Sequence, residues 1–190
     1  MQLKPFLRWG FVAVAATWAS LQGYLSYIEW SGNFATVIEG ELYRSGQLSA
    51  SQLASLQAEH GFKSVLNLRG AEPGEVWYDE EVATAKALGL THVDYRLSGY
   101  QVLTVEESSR LIALMRGMPK PLLVHCQRGA DRTGLAISLY AAAISGEDPA
   151  TAAQHLSIRF GHFSVPYLSA TYPMDESWHL MLPILERDSG

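Results

Sequence analysis

Pro121-Leu122-Leu123-Val124-His125-Cys126-Gln127-Arg128-Gly129-Ala130-Asp131-Arg132-Thr133-Gly134 is the stretch on which the reading of this chain turns. Its first four residues are a short apolar run of buried-strand type, and Gly134 to Ile144 is dense in Leu, Ile and Ala with no breaker, as in a buried helix. His125 to Gly134 therefore form a strand-to-helix turn. Backbone N–H groups of such a turn, with the unpaired donors of the first helical turn, point inward and make a concave site for an anion such as phosphate. Gly129 lets the backbone curl towards that anion, and Gly134 lets the first helical turn pack tightly. Arg132 offers a planar fork matching two phosphate oxygens. Cys126, the only cysteine of the chain, sits in the same positive pocket, where a thiolate is favoured and acts as a nucleophile. Thr133 can donate its hydroxyl to the sulfur and ease its departure. A lone cysteine is more often a plain core residue, but that reading leaves Arg132, Gly129 and the helix start without a purpose.

The order Cys, five residues, Arg, Thr, preceded by His and containing a mid-loop Gly, resembles the signature of protein tyrosine and dual-specificity phosphatases. Rhodanese-like and low-molecular-weight phosphatase folds carry loops of similar spacing, but in the latter the loop lies near the N-terminus and here it lies late. The resemblance implies catalytic roles for Cys126, Arg132, Asp131 and Thr133. It implies substrate-binding roles for His125, Gln127, Arg128, Gly129, Ala130 and Gly134, with His125 holding the backbone around the cysteine. No metal or organic cofactor is required. Two other stretches, Leu42-Tyr43-Arg44-Ser45-Gly46-Gln47 and Arg69-Gly70-Ala71-Glu72, resemble a bacterial, membrane-anchored branch of dual-specificity-like phosphatases. The likeness covers most of Asn33 to about His155. Arg69 binds substrate phosphate or braces the loop in that reading; an ion pair with Glu72 is the competing one.

Hydrolysis needs a general acid to protonate the leaving oxygen. Ordinary members of the superfamily carry it on a separate loop roughly thirty residues before the cysteine. The corresponding stretch, His92 to Tyr100, offers only Asp94, inside an expected strand, and Ser98 to Val102 has no carboxylate. Asp131 looks like the loop aspartate of myotubularins and of bacterial phosphatases with lipid and phosphotyrosine activity, where it is a proposed acid. It is the first candidate here, and Asp94 is the alternative. A carboxylate at a helix N-terminus also serves as a cap, so Asp131 has a structural reading too. Arg128 adds a charge that suits substrates with several phosphates, although Ala130 stands where several lipid-directed relatives carry lysine.

After Lys4 and Arg8, Trp9 to Ile28 contain no charge and would span about 30 Å as a helix, the thickness of a bilayer core. Residues 1–31 are therefore expected to be a membrane anchor, and residues 32–190 the phosphatase catalytic domain. Basic residues ahead of the stretch and Glu29 behind it place the catalytic domain outside the cytoplasm. Trp9 at one end and Tyr24, Tyr27 and Trp30 at the other suit interfacial belts. Ala13-Val14-Ala15 and Thr17-Trp18-Ala19 resemble signal-peptidase sites, so a cleaved signal competes, as does a soluble amphipathic helix.

From Val37 onward strand and helix signals alternate. Thr36 to Tyr43, broken by Gly40, reads as a strand pair. Ser49 with Gln52, and Thr104 with Glu107, are capping-box patterns for helices over Ala50 to His60 and to about Gly117. Strands are expected at Lys63 to Leu68, Thr91 to Leu97 and Leu122 to His125, and further helices at Glu75 to Leu88, Ala150 to Phe160 and Met174 to Glu186, the last interrupted by Pro183. Such alternation implies an α/β fold, a mostly parallel central sheet flanked by helices, with ligands bound at the carboxyl ends of the strands.

The net charge of −5 and the lack of a basic stripe argue against a nucleic-acid partner. The histidines, scattered apart from His155 and His162, form no metal-ligand pattern. The expected activity is hydrolysis of phosphate monoesters through a phosphocysteine, on a phosphorylated protein or an inositol phosphate or phosphoinositide. A catalytically weak, anchored phosphate-binding module is the rival.

Overall fold

A computed structural model describes residues 5–188. Lys4 lies outside the described residues. Five short strands form one sheet in the order β1-β2-β5-β3-β4, with β1 (Ala35–Ile38), β2 (Leu42–Ser45), β3 (Ser64–Asn67), β4 (Thr91–Asp94) and β5 (Leu122–His125). β1 runs antiparallel to β2, and every other pairing is parallel. The hairpin turns at Gly40, at φ +72, and its second strand runs two residues beyond Tyr43.

Period-two alternation divides the sheet into two faces. Leu42, Leu66, Leu122 and Val124 join the larger core, with α4 (Val105–Gly117), α5 (Asp131–Ala143) and α7 (Pro173–Asp188). Tyr43, Val65 and Leu123, in register across three strands, join the smaller one, covered by α2 (Ala50–His60). α3 (Val76–Ala87) lies beside α2. Both capping boxes form: the Ser49 and Thr104 hydroxyls accept from the backbone N–H of Gln52 and Glu107, whose side chains return to the cap. Gly61 closes α2 at φ +67. α7 continues through Pro183 rather than breaking there.

One helix expectation fails to match. Ala150 to Phe160 is not one helix: α6 (Pro149–Ala152) is followed by 3-10 turns at Ala153–His155 and Ile158–Phe160. A Cβ on Gly134 would lie 2.8 Å from Leu156 Cδ1 and 3.0 Å from the His155 carbonyl, so the chain here is shaped by its crossing of α5 rather than by its own helix propensity. α1 (Pro5–Trp30) forms over 26 residues, but Thr17, Ser20, Gln22 and Ser26 dilute its apolar character. Among the described residues no helix is long and apolar enough to cross a membrane. Trp9, Val12, Val14 and Trp18 are exposed, while Tyr24, Leu25 and Ile28 of the last two turns meet Arg159 and Gly161.

Candidate active site

β5 is the central strand, and its end lies level with the ends of β2 and β3: His125 is opposite Ser45 and Asn67. Alternation sends His125 to the α3 face and Cys126 to the α5 face, where it is 3% exposed. Between β5 and α5 the chain curls so that its carbonyls face outward to partners from residues 33–47. Gln47 N–H donates to Gln127 O (3.0 Å), Asn33 Nδ2 to Arg128 O (2.8 Å) and Arg44 Nη2 to Gly129 O (2.7 Å). With three successive carbonyls engaged outside, the N–H groups are left for the concave side. Gly129 has φ +72, and a Cβ there would lie 2.6 Å from Gly46 N, so both its conformation and its neighbour demand glycine.

A cleft of about 530 Å³ opens over the loop. Cys126, Gln127, Arg128, Asp131, Arg132 and Arg69 line it, joined by Arg96, by Leu97 to Tyr100, and by Thr171. Four arginines thus face one carboxylate. Arg132 Nη1 donates to the Leu68 and Leu97 carbonyls at 3.3 and 3.4 Å, which aims the fork across the loop. Arg69 stacks on Trp77 at 3.3 Å and donates to Gln47 Oε1 at 2.8 Å. Glu72 pairs instead with Arg96 (2.6 Å), which corrects the Arg69–Glu72 expectation. Burial and the neighbouring Arg132 charge push Arg69 below the ordinary guanidinium range, opposed by Glu81, Cys126 and Glu72. Arg128 is exposed and meets Glu29 of α1 at 3.4 Å. Thr133 is buried in the first turn of α5, its hydroxyl unpartnered among the described residues. Ala130 and Gly134 serve packing: Ala130 is buried, near Gly161.

The two candidate acids differ in place. Asp131 opens α5 and lines the cleft. Asp94 ends the edge strand, accepting from Asn67 Nδ2 (2.8 Å) and from the Tyr78 hydroxyl (2.6 Å), and it is not among the residues of the cleft wall. That bond pushes the Tyr78 phenol up to about 12, with burial adding to it. Ser98 to Tyr100 supply cleft wall without a carboxylate.

Behind the loop lie residues that the sequence did not mark for function. Glu81 of α3 is buried; its Oε1 meets His125 Nε2 (3.1 Å) and His92 Nε2 (2.8 Å), and its Oε2 accepts from Gln47 Nε2 (2.6 Å). Burial favours the neutral acid, but the His125 charge and these hydrogen bonds outweigh it and hold Glu81 well below the usual carboxylate range. His125 Nδ1 faces the Cys126 carbonyl at 3.3 Å, so the network clamps the backbone at the nucleophile. Arg44 is fully buried, with Phe160 stacked on it at 3.6 Å and a second bond to the His155 carbonyl. A signal for Glu81 existed: Trp77, Glu81 and Ala85 share one helix face at spacing four. For Arg44, third of four residues in a strand, the sequence offered only its place in the family-like stretch Leu42 to Gln47.

A cysteine and an arginine held by one loop at the carboxyl ends of parallel strands is the arrangement of dual-specificity-like phosphatases. The chain belongs to the family described as DSP-PTPase phosphatase fused to NAD+ kinase, whose model matches residues 18–165. Among solved structures it resembles P. aeruginosa TpbA in complex with pTyr, at 20% identity, TM-score 0.61, over 84% of this chain and 91% of that one. It also resembles the catalytic core of the PP-IP phosphatase SIW14 from S. cerevisiae, at 23% identity, TM-score 0.57, over 80% and 92%. These likenesses show a shared fold. No curated protein sequence matches the chain.

Proposed function

We propose that the chain hydrolyses phosphate monoesters through a phosphocysteine. The observation that carries this is the convergence of Cys126, Arg132 and Asp131 on one cleft whose floor is a loop with its carbonyls turned outward. Cys126 attacks phosphorus while Arg132 and the loop amides hold the equatorial oxygens; Asp131 protonates the leaving oxygen; water then releases phosphate, with the same carboxylate as base. Cys126→Ser abolishes turnover of an aryl phosphate in this reading. Binding of phosphate ligands with no wild-type turnover would favour the phosphate-binding module instead. Asp131→Asn loses at least tenfold more turnover with a poor leaving group than with an activated one, and equal losses would remove the acid role.

Arg69, Arg96, Arg128 and Arg132 around a single carboxylate favour a substrate carrying more than one phosphate, such as an inositol phosphate or phosphoinositide. The pairs of Arg96 with Glu72 and Arg128 with Glu29 are exposed and cost little to exchange for phosphate. SIW14, named a PP-IP phosphatase, supports this class, and the pTyr complex of TpbA supports a phosphotyrosine protein as the second. A panel of phosphotyrosine and phosphoserine peptides, phosphoinositides and soluble inositol phosphates separates them: turnover of the peptides alone would end the multiphosphate reading.

Residues 1–31 form, in the same reading, a membrane-associated segment ahead of a catalytic domain over 32–190, placed outside the cytoplasm. The charge-free run and the exposed Trp9, Val12, Val14 and Trp18 support it. Sedimentation of the full chain with membranes, and release by alkaline carbonate or not, distinguishes surface attachment from a span. N-terminal sequencing of the mature protein reports cleavage.

A further inference from the structure

After the 3-10 turn at Ile158–Phe160, Gly161 takes φ +87 and brings His162 beneath the start of α5, with its side chain 3% exposed. Nδ1 lies 2.7 Å from Asp131 Oδ1, and Nε2 lies 3.1 Å from Asp175 Oδ2, in the first turn of α7. An ionised carboxylate can only accept, so each ring nitrogen facing one must carry a hydrogen. With both carboxylates ionised the ring is an imidazolium. A neutral ring would require a proton on one of the two carboxyls.

We propose that His162 is a positioning residue for Asp131: held as an imidazolium by Asp175, it engages Oδ1 of Asp131 and leaves Oδ2 for the leaving oxygen in the cleft. The inference rests on the acid role proposed above for Asp131. The proton on Oδ2 passes to the ester oxygen as the P–O bond breaks and the S–P bond forms. The carboxylate so created keeps the Nδ1–H hydrogen bond. It then takes a proton from the water that attacks the phosphocysteine, which restores the starting state. His162 itself neither gains nor loses a proton in the cycle, so its task is orientation and charge.

The electrostatics agree with the geometry. Burial alone would push His162 down, but its hydrogen bonds to Asp131 and Asp175, and their charges, raise it to about 9. The charged groups around the pair are Asp131 from α5 and Asp175 from α7, with Arg69, Arg96, Arg128 and Arg132 around the cleft that Asp131 lines.

Histidine 15N NMR of the full chain reads the ring directly. The wild type is expected to show both nitrogens of His162 protonated at pH 7.5 and to lose one proton near pH 9, and Asp175→Asn is expected to bring that transition down towards the ordinary histidine value. Turnover gives the second readout. His162→Ala should lose tenfold or more with a poor leaving group and under threefold with an activated aryl phosphate, and His162→Gln, which still offers an N–H to Asp131, should recover part of the loss. If the Ala variant fails to fold, Asp175→Asn carries the same comparison. A bare ring nitrogen at pH 7.5, or equal losses on the two leaving groups in His162→Ala while Asp131→Asn discriminates between them, overturns the positioning role alone. Equal losses in Asp131→Asn overturn the acid role and this inference together.

Discussion

Arg44 concentrates the electrostatics of the site in one residue. Its guanidinium has no exposed surface and is met by two carbonyls and a phenyl ring rather than by a carboxylate. Burial pushes it down to about 9; the negative charge of Cys126 opposes that shift and Arg159 reinforces it. A buried cation without a carboxylate is tolerated when an anion stands near, and in the proposed function that anion is the phosphate the loop would hold. Arg44→Met leaves the Gly129 and His155 carbonyls without their donors, a cost of about 1–3 kcal/mol each. It should also slow alkylation of Cys126 at pH 6.5 severalfold; an unchanged rate would show that Arg44 acts on the fold alone. Its neighbours Leu42 to Gln47 stood out in the sequence only as a family mark, because a charged residue inside a four-residue strand carries no pattern of its own. Cys126, Arg132 and Asp131 were legible because their spacing alone defines a pocket.

Elements whose ends are set by local chemistry were readable to the residue. α2 begins after Ser49 and ends before Gly61 because the cap hydroxyl and a left-handed glycine decide those boundaries, whatever the helix packs against. Ser49→Ala should therefore cost about 1 kcal/mol and lower the midpoint of thermal unfolding by a few degrees. A loss of nothing would mean that the Gln52 side chain alone satisfies the helix start. Elements set by distant contacts were not readable. The segment after Pro149 was expected as a helix, yet it must present the His155 carbonyl to Arg44 and deliver His162 to Asp131, and two 3-10 turns do this where a regular helix would not. α1 is intermediate: its extent is plain from the uncharged run, while its contact with the phosphatase body depends on Tyr24, Ile28 and Glu29, which meet Arg159, Gly161 and Arg128. Cleavage at either small-residue site would leave all three in place.

Across the whole molecule the mostly parallel sheet followed from alternating strands and helices, while its order, with β5 in the centre, did not; two buried networks set the response to pH. Glu81 is held below its ordinary value of 4.5, so the stability it contributes is present above that value and is lost as pH falls below it. His162 is raised from 6.5 to about 9, so its contribution is complete below 6.5 and is lost as pH rises through about 9. Stability should form a plateau between those limits, with Glu81→Gln less stable than wild type at pH 7 and the gap closing in acid. A gap that does not narrow at all between pH 5 and pH 3 would assign Glu81 a packing role instead. The partners that turn the loop carbonyls outward have a temporal consequence as well. Asn33, Arg44 and Gln47 all precede the loop by some 80 residues or more, so the nucleophile cannot be assembled from its own neighbourhood. Pairing across such a separation comes late in folding because the intervening chain must first be closed into a loop. During refolding from denaturant, helical signal should return first, and phosphate-protectable reactivity of Cys126 should be the last property to appear.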